Sequence, residues 1–161
     1  MTEIWKEWYK RPYPWARRSD SRIKYLVLHH TAGPPSQSPE TIKAYHEKER
    51  KWPHIGYHFV VTPYGVYKTL PINAVPVCVR EHNAESICVA ITGDWSREVP
   101  VLWKSPHTAM VMRVLARVVG EILKAYPGIK LVRHRDLVPT GCPGTLTWDM
   151  VLNWEKEVRN A

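Results

Sequence analysis

Two apolar runs in this chain of 161 residues end in histidine. The run Tyr25–Leu28 leads into His29 and His30, and a second, shorter run ends just before His134. Cys142 follows in a loop rich in proline and glycine, which can fold back toward the end of the second run. Imidazole and thiolate are good zinc ligands, so His29, His134 and Cys142 could supply three corners of a tetrahedron and leave the fourth for water.

The same residues are also consistent with purely structural roles. Successive side chains of a strand point to opposite faces, so His29 and His30 cannot both point into one site. The two could equally be a structural pair whose hydrogen bonds are satisfied inside the fold. By spacing alone, His134 could be an ordinary histidine at a strand end and Cys142 a buried thiol. The residues by themselves therefore leave a metal centre and a structural cluster as alternatives.

Strands and helices alternate along the part of the chain that must position these residues. Short apolar runs bounded by turn residues predict strands at about 23–29, 57–62, 66–70, 87–92 and 129–132. Ser38 followed by Pro39 is typical of a helix start, and Ser105 followed by Pro106 repeats it. Apolar residues at helical spacing predict helices at about 39–50, 105–123 and 147–158. This alternation predicts a single α/β domain over residues 23–161, with a central mixed sheet flanked by helices.

The composition is that of an ordinary globular domain, with 44% apolar and 24% charged residues. No apolar segment approaches the roughly 20 residues that a spanning helix needs, and the first residues lack the apolar region of a signal peptide. We therefore expect neither a transmembrane segment nor a signal peptide. The formal charge of +8 predicts an anionic partner, which could be nucleic acid, an anionic lipid surface or an acidic wall polymer.

Residues 1–22 form a basic and aromatic N-terminal arm. The first 24 residues carry seven Lys or Arg side chains against three acidic ones, with Trp5, Trp8 and Trp15 interleaved. Such an arm can stack on bases or sugars and neutralise phosphates, but it can also pack onto its own domain. We interpret it first as a packed arm, with contact to an anionic outer-membrane or wall surface as an additional role.

Four short motifs follow one another along the chain: His29-His30-Thr31-Ala32-Gly33, Gly56-Tyr57-His58-Phe59, His134-Arg135-Asp136 and Pro139-Thr140-Gly141-Cys142-Pro143. With these motifs the chain resembles the zinc-dependent N-acetylmuramoyl-L-alanine amidases of the type 2 family, which includes T7 lysozyme and the peptidoglycan recognition proteins. The resemblance runs from about Tyr25 to Trp154, with the motifs in the family's order. Within that family it is most similar to small endolysins of phages that infect thermophilic bacteria.

This resemblance implies hydrolysis of the amide between N-acetylmuramic acid and L-alanine of bacterial peptidoglycan, with Zn²⁺ as cofactor. It assigns the metal to His29, His134 and Cys142. Tyr57 matches the family's active-site tyrosine, which helps to orient water or to stabilise the developing oxyanion. Thr140 falls where some members carry a catalytic lysine and others a threonine, so a hydroxyl donor replaces a cationic one here.

The resemblance also implies substrate contacts, and it leaves two cysteines without a role. His30 is left as a packing or supporting residue that could also contact substrate, and Trp52, His54 and Asn83 are expected to flank the groove and to contact glycan or peptide. With Cys142 assigned to the metal by the resemblance, we hypothesise a disulfide between the two other cysteines, Cys78 and Cys88. Synthesis in a cytoplasm argues against such a bond, whereas a thermophilic host or release to the exterior favours it.

Two other functions remain open alongside hydrolysis. One is a non-catalytic module that binds peptidoglycan, although relatives of that kind generally lack the cysteine ligand. The other is a basic protein that interacts with nucleic acid or a polymerase, which would show steeply salt-dependent DNA binding. We expect no specific nucleic-acid partner, a monomer, synthesis in a host cytoplasm and action on the cell wall after release.

Overall fold

The computed structural model describes residues 5–10 and 15–144. They form one mixed sheet of six strands with helices on its faces, as the alternation of elements predicts. The strands are β1 (Lys6–Glu7), β2 (Tyr25–His30), β3 (Phe59–Thr62), β4 (Gly65–Lys68), β5 (Ser86–Ile91) and β6 (Lys130–Arg133). The helices are α1 (Pro39–Ala44), α2 (Thr108–Ala125) and α3 (His134–Leu137). The helix predicted at 147–158 lies outside the described residues.

Strand β2 lies inside the sheet, whose order is β1-β4-β3-β5-β2-β6. It pairs in parallel with β5 on one side and with β6 on the other. The carboxyl ends of these strands therefore meet at one edge of the sheet, where α/β proteins usually bind ligands. His29 and His30 end β2 at this edge, and His134 follows β6 there as the first residue of α3, not as a strand residue.

The sheet has an apolar core on each face. Leu26 and Leu28 of β2 pack with the buried side of α2, and Val27 between them belongs to a cluster on the opposite face. The same alternation separates the two histidines of β2, because successive side chains of a strand point to opposite faces. The structure therefore confirms that His29 and His30 point to different faces.

Helix α1 starts as its sequence predicts, but it does not continue as an ordinary α-helix. The hydroxyl of Ser38 accepts a hydrogen bond from the Thr41 amide at 3.2 Å, which caps the helix start. From Tyr45 to Glu49 the chain forms a π-helical turn, in which the Arg50 amide donates to the Tyr45 carbonyl at 3.1 Å. The wider turn places His46 so that its Nδ1 accepts a hydrogen bond from the Gly56 amide at 2.9 Å.

Helix α2 is the long amphipathic helix that the apolar stripe predicts, but its start differs from the prediction. It begins at Thr108 and not at the Ser105-Pro106 pair. The Ser105 hydroxyl is hydrogen-bonded to His107, so it does not cap the helix amides. Among the described residues, no helix combines the length and the apolar character needed to cross a membrane.

The N-terminal arm packs against the domain wherever the structure describes it. β1 adds a short parallel strand to β4 at the sheet edge, and Tyr9 and Trp15 are buried. The guanidinium of Arg18 is buried and donates to the carbonyl oxygens of Ile72, Asn83 and Ser86. These contacts are those of a packed arm, and the positive charge of Arg18 lies inside the fold and not on its surface.

Candidate metal centre

The structure brings His29, His134 and Cys142 together at the carboxyl ends of strands β2 and β6. His29 comes from the end of β2, His134 from the start of α3, and Cys142 from the loop that follows α3. Cys142 Sγ lies 3.6 Å from His29 Nδ1, and the rings of the two histidines are 4.6 Å apart between centroids. One ligand atom from each of the three residues lies within 4.8 Å of the others.

The donor set fits a zinc ion. A sulfur and a nitrogen bound to one tetrahedral zinc are about 3.6 Å apart, given bond lengths of about 2.3 and 2.05 Å. That separation matches the 3.6 Å between Cys142 Sγ and His29 Nδ1. His134 Nδ1 is buried without a hydrogen-bond partner, as is His29 Nε2, although buried polar atoms normally have one. A cation held by the three residues would give His134 Nδ1 a partner.

The electrostatics of the cluster also suit a cation. Burial lowers the pKa of His29 well below its usual value, and the neighbouring His134 and His30 lower it further. Burial likewise lowers the pKa of His134. Both imidazoles are therefore neutral at pH 7 and keep a lone pair for a metal. Burial raises the pKa of the Cys142 thiol to about 12, so this residue must lose a proton when a cation binds.

The loop that carries Cys142 is held by two hydrogen bonds to Cys142 itself. The His30 amide donates to Cys142 Sγ at 3.4 Å, and the Arg135 amide donates to the Cys142 carbonyl at 3.1 Å. Gly144 has φ +84°, and a Cβ there would lie 2.6 Å from the Trp95 carbonyl carbon. Only glycine allows this close approach, which brings the loop against the segment that follows β5.

Tyr57 and Thr140 lie beside the three candidate ligands. The Tyr57 ring is 5.3 Å from the His29 ring between centroids. Burial, together with the nearby Cys142, raises the pKa of Tyr57, so its hydroxyl keeps its proton at neutral pH. Thr140 is exposed, and its hydroxyl oxygen accepts a hydrogen bond from the Cys142 amide at 3.3 Å. That hydroxyl still has its own proton to donate.

A groove with a cavity volume of about 520 Å³ begins at Tyr57. It runs between the segment that follows β2 and the segment that contains α1 and the π-helical turn. Its walls are formed by Thr31, Ala32, Gly33, Pro34, Gln37, Ile42, Tyr45, His46, Arg50, Trp52 and Tyr57. Tyr57 connects the two features, because it lies on the groove wall and its ring is 5.3 Å from the His29 ring.

Of the four predicted substrate contacts, only Trp52 lies on the groove wall. The buried His30 accepts the Trp95 amide at Nδ1, and the buried His54 is hydrogen-bonded through Nδ1 to the Ile55 carbonyl. The side-chain oxygen of Asn83 accepts the amides of Cys78 and Val79, both at 2.8 Å. One polar side-chain atom of each of these three residues therefore makes a hydrogen bond within the fold. None of the three lies on the wall of the groove.

Two groove residues, His46 and Arg50, are not among the residues singled out from the sequence. The Arg50 guanidinium lies 5.5 Å from the centroid of the Trp52 ring, and the His46 ring lies 4.4 Å from it. Burial, with the nearby Arg50, lowers the pKa of His46 to about 4, so this imidazole is neutral at pH 7. Their sequence signal was a histidine and an arginine four residues apart just before Trp52.

The hypothesised disulfide is present, and its two sulfurs lie near His29. Cys78 and Cys88 are bonded, with their Cα atoms 6.6 Å apart, and Cys142 is the free cysteine. Cys88 is fully buried in β5, where its neighbour on β2 is Val27. Cys78 is half-buried in the loop before β5. The structure thus confirms the pairing and separates these cysteines from Cys142.

Comparison with known proteins finds a family and a set of similar structures. A family model described as N-acetylmuramoyl-L-alanine amidase matches residues 19–145. The Ph2119 endolysin from a Thermus scotoductus bacteriophage is 45% identical, with a TM-score of 0.78 over 87% of this chain and 88% of that one. The N-acetylmuramoyl-L-alanine amidase LysCS from Clostridium intestinale is 25% identical, with a TM-score of 0.75 over 96% of this chain and 97% of that one. The peptidoglycan-recognition protein SC1a/b of Drosophila simulans is 26% identical, over 92% of this chain and 82% of its own length.

Proposed function

The chain belongs to the N-acetylmuramoyl-L-alanine amidase family, and we propose that it is an endolysin that cleaves the amide between N-acetylmuramic acid and L-alanine of bacterial peptidoglycan. The observation that carries this proposal is the juxtaposition of His29, His134 and Cys142, with Tyr57 beside them and a groove leading to them. The 45% identity to a phage endolysin supports peptidoglycan as the substrate.

The three ligands would hold Zn²⁺, and their chemistry suits that role. When bound, zinc lowers the pKa of a coordinated water and polarises the scissile carbonyl. His29 and His134 enter the site neutral, and Cys142 supplies the negative charge by giving up its proton. The cysteine also offsets part of the cation's charge, which a set of three neutral histidines would leave in place.

Tyr57 and Thr140 would act on the reacting amide. The Tyr57 hydroxyl is protonated at neutral pH because burial raises its pKa, so it can donate a hydrogen bond to the oxyanion that develops on the carbonyl. The Thr140 hydroxyl lies on the exposed rim of the Cys142 loop and can make a second donation to the same oxygen. Neither residue carries a positive charge, so the metal would supply most of the electrostatic stabilisation.

Recognition without hydrolysis is the second candidate, because the chain is 26% identical to a protein named for peptidoglycan recognition. Binding alone needs the groove but not a complete set of ligands. The free Cys142 at 3.6 Å from His29 Nδ1 has no evident use in binding, and it therefore favours hydrolysis.

Digestion of purified peptidoglycan followed by mass spectrometry tests the proposal. We expect stem peptides with new L-alanine N-termini, lost on chelation and restored by zinc. Tyr57→Phe removes only the hydroxyl and should lower the rate by 10²-fold or more, as loss of one oxyanion donor typically does. Tyr64→Phe is the matched control, because Tyr64 is 64% exposed and stacks on His107, away from the three candidate ligands.

Other products would contradict the proposal in distinct ways. New reducing sugar ends would identify a glycosidase. Binding to peptidoglycan with no released peptide, from a zinc-loaded chain, would identify a recognition module. Equal rates for Tyr57→Phe and Tyr64→Phe would remove Tyr57 from the mechanism.

A further inference from the structure

A second set of metal donors shares His29 with the first. One ligand nitrogen of His29 and the sulfurs of Cys78 and Cys88 all lie within 4.8 Å of one another. The two sulfurs are bonded to each other, so neither is a thiolate in this state. His29 therefore belongs to two donor sets, one with His134 and Cys142 and one that is closed by the disulfide.

The surroundings of this second set are those of a metal site. His29 is 1% exposed and its Nε2 has no hydrogen-bond partner, while the apolar side chains of Val27 and Val79 pack around Cys88. An apolar shell excludes water and strengthens coordination by thiolates. Cys78 is half-buried whereas Cys88 is fully buried, so Cys78 is the more accessible half of the disulfide.

We propose that reduction of the Cys78–Cys88 disulfide creates a second site for a divalent, thiophilic cation, made of His29, Cys78 and Cys88. Reduction by a phosphine transfers two electrons to the S–S bond, and with one water it yields two thiols and a phosphine oxide. Cation binding then displaces the two thiol protons to solvent. The separated sulfurs need to move only to the spacing of about 3.8 Å that two thiolates take on one tetrahedral zinc.

The two sites compete, because both need His29. The oxidised chain holds a cation through one thiolate, and the reduced chain can hold it through two. Softer, sulfur-rich donor sets are preferred by thiophilic ions such as Zn²⁺, so reduction would draw the ion away from His134 and Cys142. The disulfide thereby controls which residues the metal contacts, and reducing conditions disfavour the donor set that the proposed function uses.

The inference depends on the proposed function only through the shared His29, and its test uses no hydrolysis. The probe is Co²⁺ added to the metal-free full-length chain, since each bound thiolate adds a charge-transfer absorption. The informative variant is Cys142→Ala, which removes the thiolate of the first site. Oxidised Cys142→Ala should show no thiolate-to-cobalt absorption. After reduction with a phosphine, one Co²⁺ per chain should bind with the absorption of two thiolates.

Two double variants supply the controls. Adding Cys78→Ser or His29→Ala to Cys142→Ala should abolish the two-thiolate absorption under the same reducing conditions. The wild-type chain gives an independent measurement: reduction should raise its thiolate-to-cobalt intensity from that of one thiolate to that of two. Unchanged spectra on reduction of both proteins, or an absorption that persists without His29, would overturn the proposal. Loss of amidase activity alone would bear only on the proposed function.

Discussion

The imidazole of His58 should make the fold sensitive to acid, and the size of the effect follows from its contacts. His58 immediately precedes β3 in the sequence, and its side chain is fully buried. Its Nδ1 accepts a hydrogen bond from the Cys88 amide at 3.0 Å, and its Nε2 lies 3.0 Å from the Ala74 carbonyl, to which it donates. Burial, and next the nearby Arg18 guanidinium, lower the pKa of His58 to about 3.

Acid should destabilise the protein through this residue by about 2 kcal/mol between pH 7 and pH 5. In the unfolded chain the histidine has a pKa near 6.5 and takes up a proton over this interval, whereas the folded chain does not. The unfolded state binds more protons, so the free energy of unfolding falls as the pH falls below about 6.5. The loss continues until about pH 3, and its value at pH 5 requires only that the folded pKa lies well below 5.

Urea unfolding of the metal-free chain at pH 7 and pH 5 measures the effect, with a chelator present so that zinc uptake adds no pH dependence. His58→Asn keeps an amide oxygen that can accept the Cys88 amide but has no titrating group. Its unfolding free energy should lose about 2 kcal/mol less than that of the wild type between the two pH values. His107→Asn, at an exposed position, is the matched control. Equal pH dependence in the wild type and His58→Asn would refute the reasoning.

Three further outcomes follow from contacts described above. Arg18→Met should lower the free energy of unfolding by about 3 kcal/mol in urea titrations, because it leaves buried carbonyl groups without hydrogen-bond donors. Arg17→Met, at the exposed neighbouring position, should have little effect on the same free energy. Gly56→Ala should lower the melting temperature sharply, because its Cβ would overlap a backbone carbonyl oxygen, whereas Gly141→Ala meets no atom within 4 Å and should be tolerated. Zinc uptake at pH 7 should release about one proton per ion, from the Cys142 thiol, measured by calorimetry in two buffers of different ionisation enthalpy. Release of no proton would show that Cys142 does not bind as a thiolate.

The closeness of His29 and His134 could be predicted from the sequence because both residues follow strands. Two apolar runs that end in histidine become parallel neighbours, and the carboxyl ends of parallel strands share one edge. The choice between His29 and His30 needed more than strand alternation, which shows that the two differ but not which one faces the site. The family motif supplied that choice, and the observed faces agree with it.

The groove was less predictable, for physical reasons. His46 and Arg50 reach its wall through a π-helical turn, and helical periodicity gives no sign of a change in hydrogen-bond spacing. His54 and Asn83 lie in loops next to the site, but loop position does not reveal whether a polar atom serves a ligand or the loop itself. The burial of Arg18 could not be predicted from the sequence, because it depends on carbonyl groups that lie far away in sequence.

The pairing of β1 with β4 determines how the role of the arm can be studied. Lys6 and Glu7 occupy the outer edge of the sheet, and the charges that they expose disfavour growth of the sheet by edge-to-edge association. A chain from which the arm has been deleted would expose the unpaired backbone of β4, Gly65–Lys68, at the edge of the sheet. Such an edge can pair with the same edge of another copy and so promote aggregation. Loss of wall binding in such a truncated chain could therefore reflect self-association and not missing positive charge. Replacing exposed basic side chains while keeping the backbone of β1 separates the two effects.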